Sequence, residues 1–172
     1  MSLVPDPVPP PVPAGRLLGA ALWYAHLGVA VFPCQPGGKA PATTHGVKDA
    51  TTDTVQIVAW WQAMPDANIG IATGRRFDVL DIDDILSDAD TEMLNLDELR
   101  AHALAEATTP RGGSHIYLPS ILGATNKVGV VEHVDYRALG GYVVAPPSRV
   151  GDRDYSWDAP LGPLPEAGTA VA

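Results

Sequence analysis

Asp81 and Asp83 lie in the run Phe77-Asp78-Val79-Leu80-Asp81-Ile82-Asp83-Asp84, where apolar β-formers surround carboxylates that gain nothing from entering a core. In a strand, side chains two apart share a face with Cα atoms roughly 6.5–7 Å apart, so both acids can reach one metal cluster while Leu80 and Ile82 pack behind them. Oxygen ligands so placed suit Mg²⁺ or Mn²⁺. Taken alone, an Asp-x-Asp at a strand end serves equally as a solvated edge or a turn opener.

Two further stretches add to it. Thr109-Pro110-Arg111-Gly112-Gly113-Ser114-His115-Ile116-Tyr117-Leu118 puts a Gly-Gly turn before a short alternating strand. Glycine lets backbone N–H groups approach an anion closely, so the turn suits a phosphate, with Arg111 beside it and Ser114 and His115 just past it. His115 and Tyr117 share one face of that strand, Ser114 and Ile116 the other. In Val134-Asp135-Tyr136-Arg137-Ala138-Leu139-Gly140-Gly141-Tyr142, another carboxylate enters from an apolar strand, and Arg137 points to its side if the strand continues. Asp135 read by itself is also an ordinary turn or cap residue. If these strands are neighbours, the three carboxylates, His115 and the arginines converge.

Taken in order, these blocks resemble the N-terminal domain of bifunctional DNA primase/polymerases, the Prim-Pol group of the archaeo-eukaryotic primase superfamily. The likeness rests on Pro36-Gly37-Gly38-Lys39-Ala40-Pro41 with His45-Gly46-Val47-Lys48-Asp49-Ala50-Thr51, on Asn68-Ile69-Gly70-Ile71-Ala72-Thr73-Gly74, on the Asp81/Asp83 strand, and on the His115 and Asp135 blocks with their Gly140-Gly141-Tyr142 to Pro146-Pro147-Ser148 ending. It runs from about Leu17 to Ser148. It implies a template-directed nucleotidyltransferase with an α/β (α+β) catalytic core, a mostly antiparallel RRM-like sheet flanked by helices. It also implies that Asp81, Asp83 and Asp135 hold two Mg²⁺ or Mn²⁺ ions and that His115 contacts the incoming triphosphate. Arg111, Gly112, Gly113, Ser114, Arg137 and Lys39 are further nucleotide-binding candidates. The wider superfamily often writes the second motif Ser-x-His, whereas Gly113 holds the Ser position here.

Other implied partners are a DNA template and primer, dNTP or NTP, and a C-terminal helical or helicase domain absent from this chain, in replication of a phage, plasmid or integrated element. Two readings from other classes stay open. One is a catalytically weak DNA- or nucleotide-binding module that recruits a helicase; the other is a different metal-dependent phosphoryl enzyme, such as a nuclease or an Asp-x-Asp glycosyltransferase.

The elements that position these residues follow from local patterns. Arg16 to Gly28 reads as a helix with Leu17, Leu18, Ala21, Leu22 and Ala25 on its packing stripe, and Val29–Pro33 as a strand. Asp53 or Thr54 caps a helix to Met64 whose Trp60, Trp61 and Ile57 pack inward, a base-stacking platform being the sharper alternative for the tryptophans. Asn68–Ala72 and Phe77–Asp83 read as strands joined by Thr73-Gly74-Arg75-Arg76, whose arginines touch template or cap a hairpin. Thr91–Ala107 reads as one amphipathic helix with Leu96, Leu99 and Ala103 at helical spacing. Strands around His115 and Asp135 and a fifth at Tyr142–Ala145 complete one sheet. Residues 1–14, with six prolines, read as an extended tail, 15–160 as the catalytic domain and 161–172 as a linker-like tail.

Composition sets the bounds. At 172 residues with 46% apolar content the chain can fill one core. Cys34 is the only cysteine, so no internal disulfide or cysteine-based zinc site is expected. Neither a secretory leader nor an apolar run of about 18 residues is present, which points to a cytoplasmic protein of a bacterial, archaeal or phage-infected cell, without a membrane partner and monomeric. The net charge of −9 weighs against nucleic-acid binding, but it is concentrated: Asp78 to Glu106 holds ten acids against Arg100 alone, while the remainder has ten of each sign. Part of that stretch is the metal cage, and the segment Ser87 to Glu106 is expected to be a solvated helix face pointing away from template.

Overall fold

The computed structural model describes residues 17–164, so the proline-rich stretch 1–14 and residues 165–172 of the C-terminal tail lie outside the described residues. The class is the expected α+β with antiparallel strand pairing, but the strands are divided between two sheets. Helix α1 (Leu17–His26) and strand β1 (Val31–Cys34) are followed by a loop with one 3₁₀ turn and by helix α2 (Thr54–Ala63). Asp53 caps α2 by accepting from the Val55 N–H at 2.9 Å.

Strand β2 (Asn68–Ala72) pairs with β1 on one side and with β8 (Tyr142–Ala145) on the other, forming a three-stranded antiparallel sheet. The second sheet has six strands in the order β11-β4-β5-β3-β7-β6. Its members are β3 (Asp78–Ile82), β4 (Ala105–Thr108), β5 (Ser114–Leu118), β6 (Lys127–Val131), β7 (Val134–Arg137) and β11 (Ser156–Ala159). A ribbon of β9 (Arg149–Val150) and β10 (Arg153–Asp154) leads into β11.

Three expectations need correction. Thr73–Arg76 caps no hairpin, because β2 and β3 belong to different sheets and the chain crosses between them there. A second crossing, Ala138–Gly141, runs beside the first. Thr73 donates through its hydroxyl to the Ala138 carbonyl at 2.7 Å and through its N–H to Gly141 at 3.0 Å. Gly74, with φ +89°, lies so close that a Cβ there would sit 2.2 Å from Leu139 Cα. Arg76 donates weakly to the Leu27 carbonyl at 3.4 Å, away from the carboxylates.

The single helix expected over Thr91–Ala107 is two short helices, α3 (Asp88–Met93) and α4 (Leu96–Ala101), broken at left-handed Asn95, and then strand β4. The alanines at 105 and 107 favour helix locally, but pairing between β5 and β11 and burial under Tyr117 override that propensity. At the C-terminus, Leu161, placed in the tail by sequence, is 1% exposed and part of the main core.

Packing follows the strand alternation. The main core joins α1 and α2 to both sheets through Val31, Ile69, Ile71 and Val143 on one and Val79, Ala105, Ala107 and Tyr117 on the other. Trp23 and Tyr24 belong to it too, and Tyr24 donates to the Pro146 carbonyl at 2.5 Å. On the opposite face of the large sheet, Leu80, Ile82, Ile116, Leu118 and Val134 form a second cluster, covered by Leu96 and Leu99 of α4. The acids of α3 and α4 therefore lie behind the sheet from Asp81.

Candidate active site

Register places the site. Across adjacent strands, Asp81 of β3 stands directly opposite His115 of β5 and Asp135 of β7, so the three side chains form a row on one face. That face is the one Val79 and Tyr117 share, and Asp81 and His115 lie where the main core gives way to a cleft of about 310 Å³ between the two sheets, whereas Asp135 stands beside it, behind Arg137, and does not line it. Its walls carry Lys39, Asp81, Asp83, Arg111, His115, Asn126, Arg137, Tyr142 and Tyr155. A larger cavity of about 410 Å³ on the opposite face of the sheet is walled by Leu80, Leu94, Leu99, Leu118 and Ile121 and gathers no comparable set of charges. The polar cleft is thus the one equipped for chemistry.

His115 is 4% exposed and its Nε2 lies 3.2 Å from Asp81 Oδ1, while its Nδ1 is buried with no partner. Burial opposes the charge on Asp81, but the hydrogen bond and charge of His115, then Arg137 and Lys39, outweigh it and hold its pKa below the usual carboxylate value. Arg137 bridges two acids, 2.7 Å from Asp135 and 3.8 Å from Asp81. Asp135 also accepts from the Gly129 N–H at 2.8 Å. Asp83, just past the end of β3, pairs with Arg111 at 2.8 Å on the rim.

The Gly-Gly turn is built differently from a phosphate cradle. Gly112 N–H donates to the Thr109 carbonyl at 2.9 Å and Gly113 N–H to the Thr109 hydroxyl at 3.1 Å, so both donors are used inside the turn. Gly113 is needed for a different reason, since a Cβ there would lie 2.0 Å from the Ile82 carbonyl oxygen. Ser114 is in register with Ile82 and faces the opposite side of the sheet from the cleft. Lys39 reaches the cleft because Asn68, 2% exposed, anchors its loop by donating to the Gly38 carbonyl at 2.8 Å. Trp61 is core, its indole N–H donating to Ala67 at 3.0 Å, and is not a base platform.

Asp81, Asp83 and Asp135 suit Mg²⁺ or Mn²⁺ in donor chemistry, in number and in sharing one face. As the side chains stand, Asp83 pairs with Arg111, Asp135 with Arg137 and Asp81 with His115, and no group of three His, Cys, Asp or Glu side chains converges on one point among the described residues. Cys34 supplies no nucleophile: it is fully buried and burial pushes its thiol up to about 12.

The motifs legible in the sequence end at Ser148, and Tyr155, inside the expected 15–160 domain, was not singled out. The alternation of Tyr155 and Trp157 with Asp154, Ser156 and Asp158 is the signal of a half-buried strand that could have found it. Asn126 was missed as well, and it had no such signal. Its carboxamide oxygen accepts from the Ala138 N–H at 2.8 Å on the cleft wall.

A family model described as bifunctional DNA primase/polymerase, N-terminal, matches residues 21–167. A search of the curated proteins finds no match to the chain. None of the described helices is long and apolar enough to cross a membrane.

Proposed function

On the premise that this chain belongs to the bifunctional DNA primase/polymerase N-terminal family, we propose that its cleft joins a nucleoside triphosphate to the 3′-hydroxyl of a primer paired to a DNA template. The observation that carries this reading is the single row of His115, Asp81 and Asp135 across three neighbouring strands, rimmed by Lys39, Arg111 and Arg137. In the reaction the 3′-hydroxyl loses its proton to solvent as its oxygen forms a bond to the α-phosphorus, and pyrophosphate departs with the electron pair of the broken P–O bond.

Such a transfer asks for positioning and charge stabilisation rather than for a protein nucleophile. Asp81, Asp83 and Asp135 would hold Mg²⁺ or Mn²⁺, which when bound activates the attacking hydroxyl and stabilises the departing pyrophosphate. Lys39, Arg111 and Arg137 bring positive charge to the triphosphate. His115 orients Asp81 through Nε2. The triphosphate contact implied for this histidine by the family resemblance uses the same nitrogen, since Nδ1 is sealed from the cleft. The acids of α3 and α4 stand behind the sheet, which leaves the cleft side open to nucleic acid despite the net charge of −9.

The test is extension of a labelled primer on a DNA template with dNTPs or NTPs and with each of Mg²⁺ and Mn²⁺. Extension by the wild type that is lost in Asp81→Ala is expected. Extension that survives Asp81→Ala would falsify the assignment, and nucleotide binding without any turnover would assign a binding module instead.

A further inference from the structure

Building on that reading of the cleft, we propose that Tyr155 is a substrate-binding residue whose hydroxyl donates a hydrogen bond to the triphosphate of the incoming nucleotide, beside Arg111. Tyr155 joins β10 to β11, and its N–H donates to the Ser148 carbonyl at 2.8 Å, which fixes where the side chain starts. The ring is 2% exposed, packs with Phe32, Cys34 and Val144, and lies 5.6 Å from the His115 ring at 37°. A ring held on so many sides has little freedom to turn away.

The hydroxyl is the unusual part. Tyr24 and Tyr136 spend their hydroxyls on the Pro146 carbonyl and on Asp78. Tyr155 lines the cleft together with Asp81, Asp83 and Arg111, and among the described residues its hydroxyl makes no hydrogen bond. It also differs from Tyr117, whose unpartnered oxygen is sealed inside the protein and does not reach the cleft. The Tyr155 oxygen is not among the buried polar atoms left without a partner, so it opens to the cleft, and a donor fixed on that wall by a packed ring is placed to meet a ligand acceptor.

The kind of acceptor follows from the neighbours. A phenol keeps its proton at neutral pH, so the group is a donor there. Phosphate oxygens accept only, and Arg111 supplies the positive charge an anion needs at that end of the cleft.

Tyr155→Phe removes the oxygen and keeps the ring. Calorimetric titration of the whole chain with dATP and, separately, with deoxyadenosine reads the contact directly. Expected is a Kd for dATP about tenfold weaker than wild type, as for loss of one hydrogen bond to a charged group. Deoxyadenosine binding and melting temperature should be unchanged, and in primer extension KM should rise with kcat retained. An unchanged dATP Kd overturns the inference, and so does an equal loss for dATP and deoxyadenosine, which would mean a wall-packing role. If the wild type extends primers and Tyr155→Phe does so with the same KM, this inference fails alone; if the wild type binds no nucleotide, the reading of the cleft fails with it.

Discussion

Gly113→Ala should damage both the fold and the proposed reaction, for a reason that can be worked from the backbone. The added Cβ would lie 2.0 Å from the Ile82 carbonyl oxygen, whereas ordinary contact begins at 3.4 Å, so β3 and β5 must part locally by about 1.4 Å. The obstacle is main chain, and no rotamer change relieves it. Overpacking of this kind costs about 1–3 kcal/mol, and at about 2–4 °C per kcal/mol a mid-range 2 kcal/mol lowers the melting temperature by roughly 4–8 °C. The strain falls beside the pairing of Asp81 with His115. A misplacement of about 1 Å there costs on the order of 100-fold in rate. Gly112→Ala is the control: nothing lies within 4 Å of its Cβ, and only the left-handed backbone at φ +89° is penalised, by about 1–2 kcal/mol. Thermal unfolding and initial rates of primer extension measure the two effects separately. The reasoning is refuted if Gly113→Ala melts and extends like wild type, or if Gly112→Ala slows extension as much as Gly113→Ala does.

Other outcomes follow from the same geometry. A carboxylate whose pKa drops on folding stabilises above its ordinary value of 3.8 and loses that contribution as pH falls through the lower folded value, so the gap in urea midpoint between wild type and Asp81→Asn should be widest near neutrality and close below that range. A gap that ignores pH would contradict the pairing with His115. Asp83→Ala and Asp135→Ala are expected to lose primer extension while keeping the wild-type circular dichroism spectrum, and an active variant of either would remove that acid from the reaction. Asn68→Ala leaves the Gly38 carbonyl and both the N–H and the carbonyl of Arg149 unpaired. It should cost about 2–4 kcal/mol and also weaken nucleotide binding through Lys39, as calorimetry would show. Tyr24→Phe strands the Pro146 carbonyl and should lower stability by about 1–3 kcal/mol in urea unfolding, with the cleft untouched.

What was legible in the sequence was local. Strand β2 spans Asn68–Ala72 as read, Asp53 caps α2, and the period of two correctly put Asp81 and His115 on one face with Leu80 and Ile116 behind them. What was not legible depended on partners far along the chain. Whether Tyr142–Ala145 joins Asp81's sheet or another is decided by pairing with β2, and a strand's own residues do not name its neighbour. The stretch from Ala105 to Ala107 reads as helix because alanine favours helix until the gap between β5 and β11 claims it. Gly113 looked like an anion cradle because sequence reveals that a glycine is required but not what approaches it, here the main chain of β3.

The cluster containing Val79 and Tyr117 of one sheet and Ile69 and Val143 of the other is continuous, and the paired crossings at Thr73 and Ala138 tie the sheets again. Scissoring the two halves apart would flood that cluster, at about 25 cal/mol for each Å² of apolar surface wetted. A molecule braced in this way cannot work like a jaw. On the proposed reading, choice among nucleotides comes from the fit of a rigid slot, and the pace of loading and unloading from the long basic side chains at the entrance.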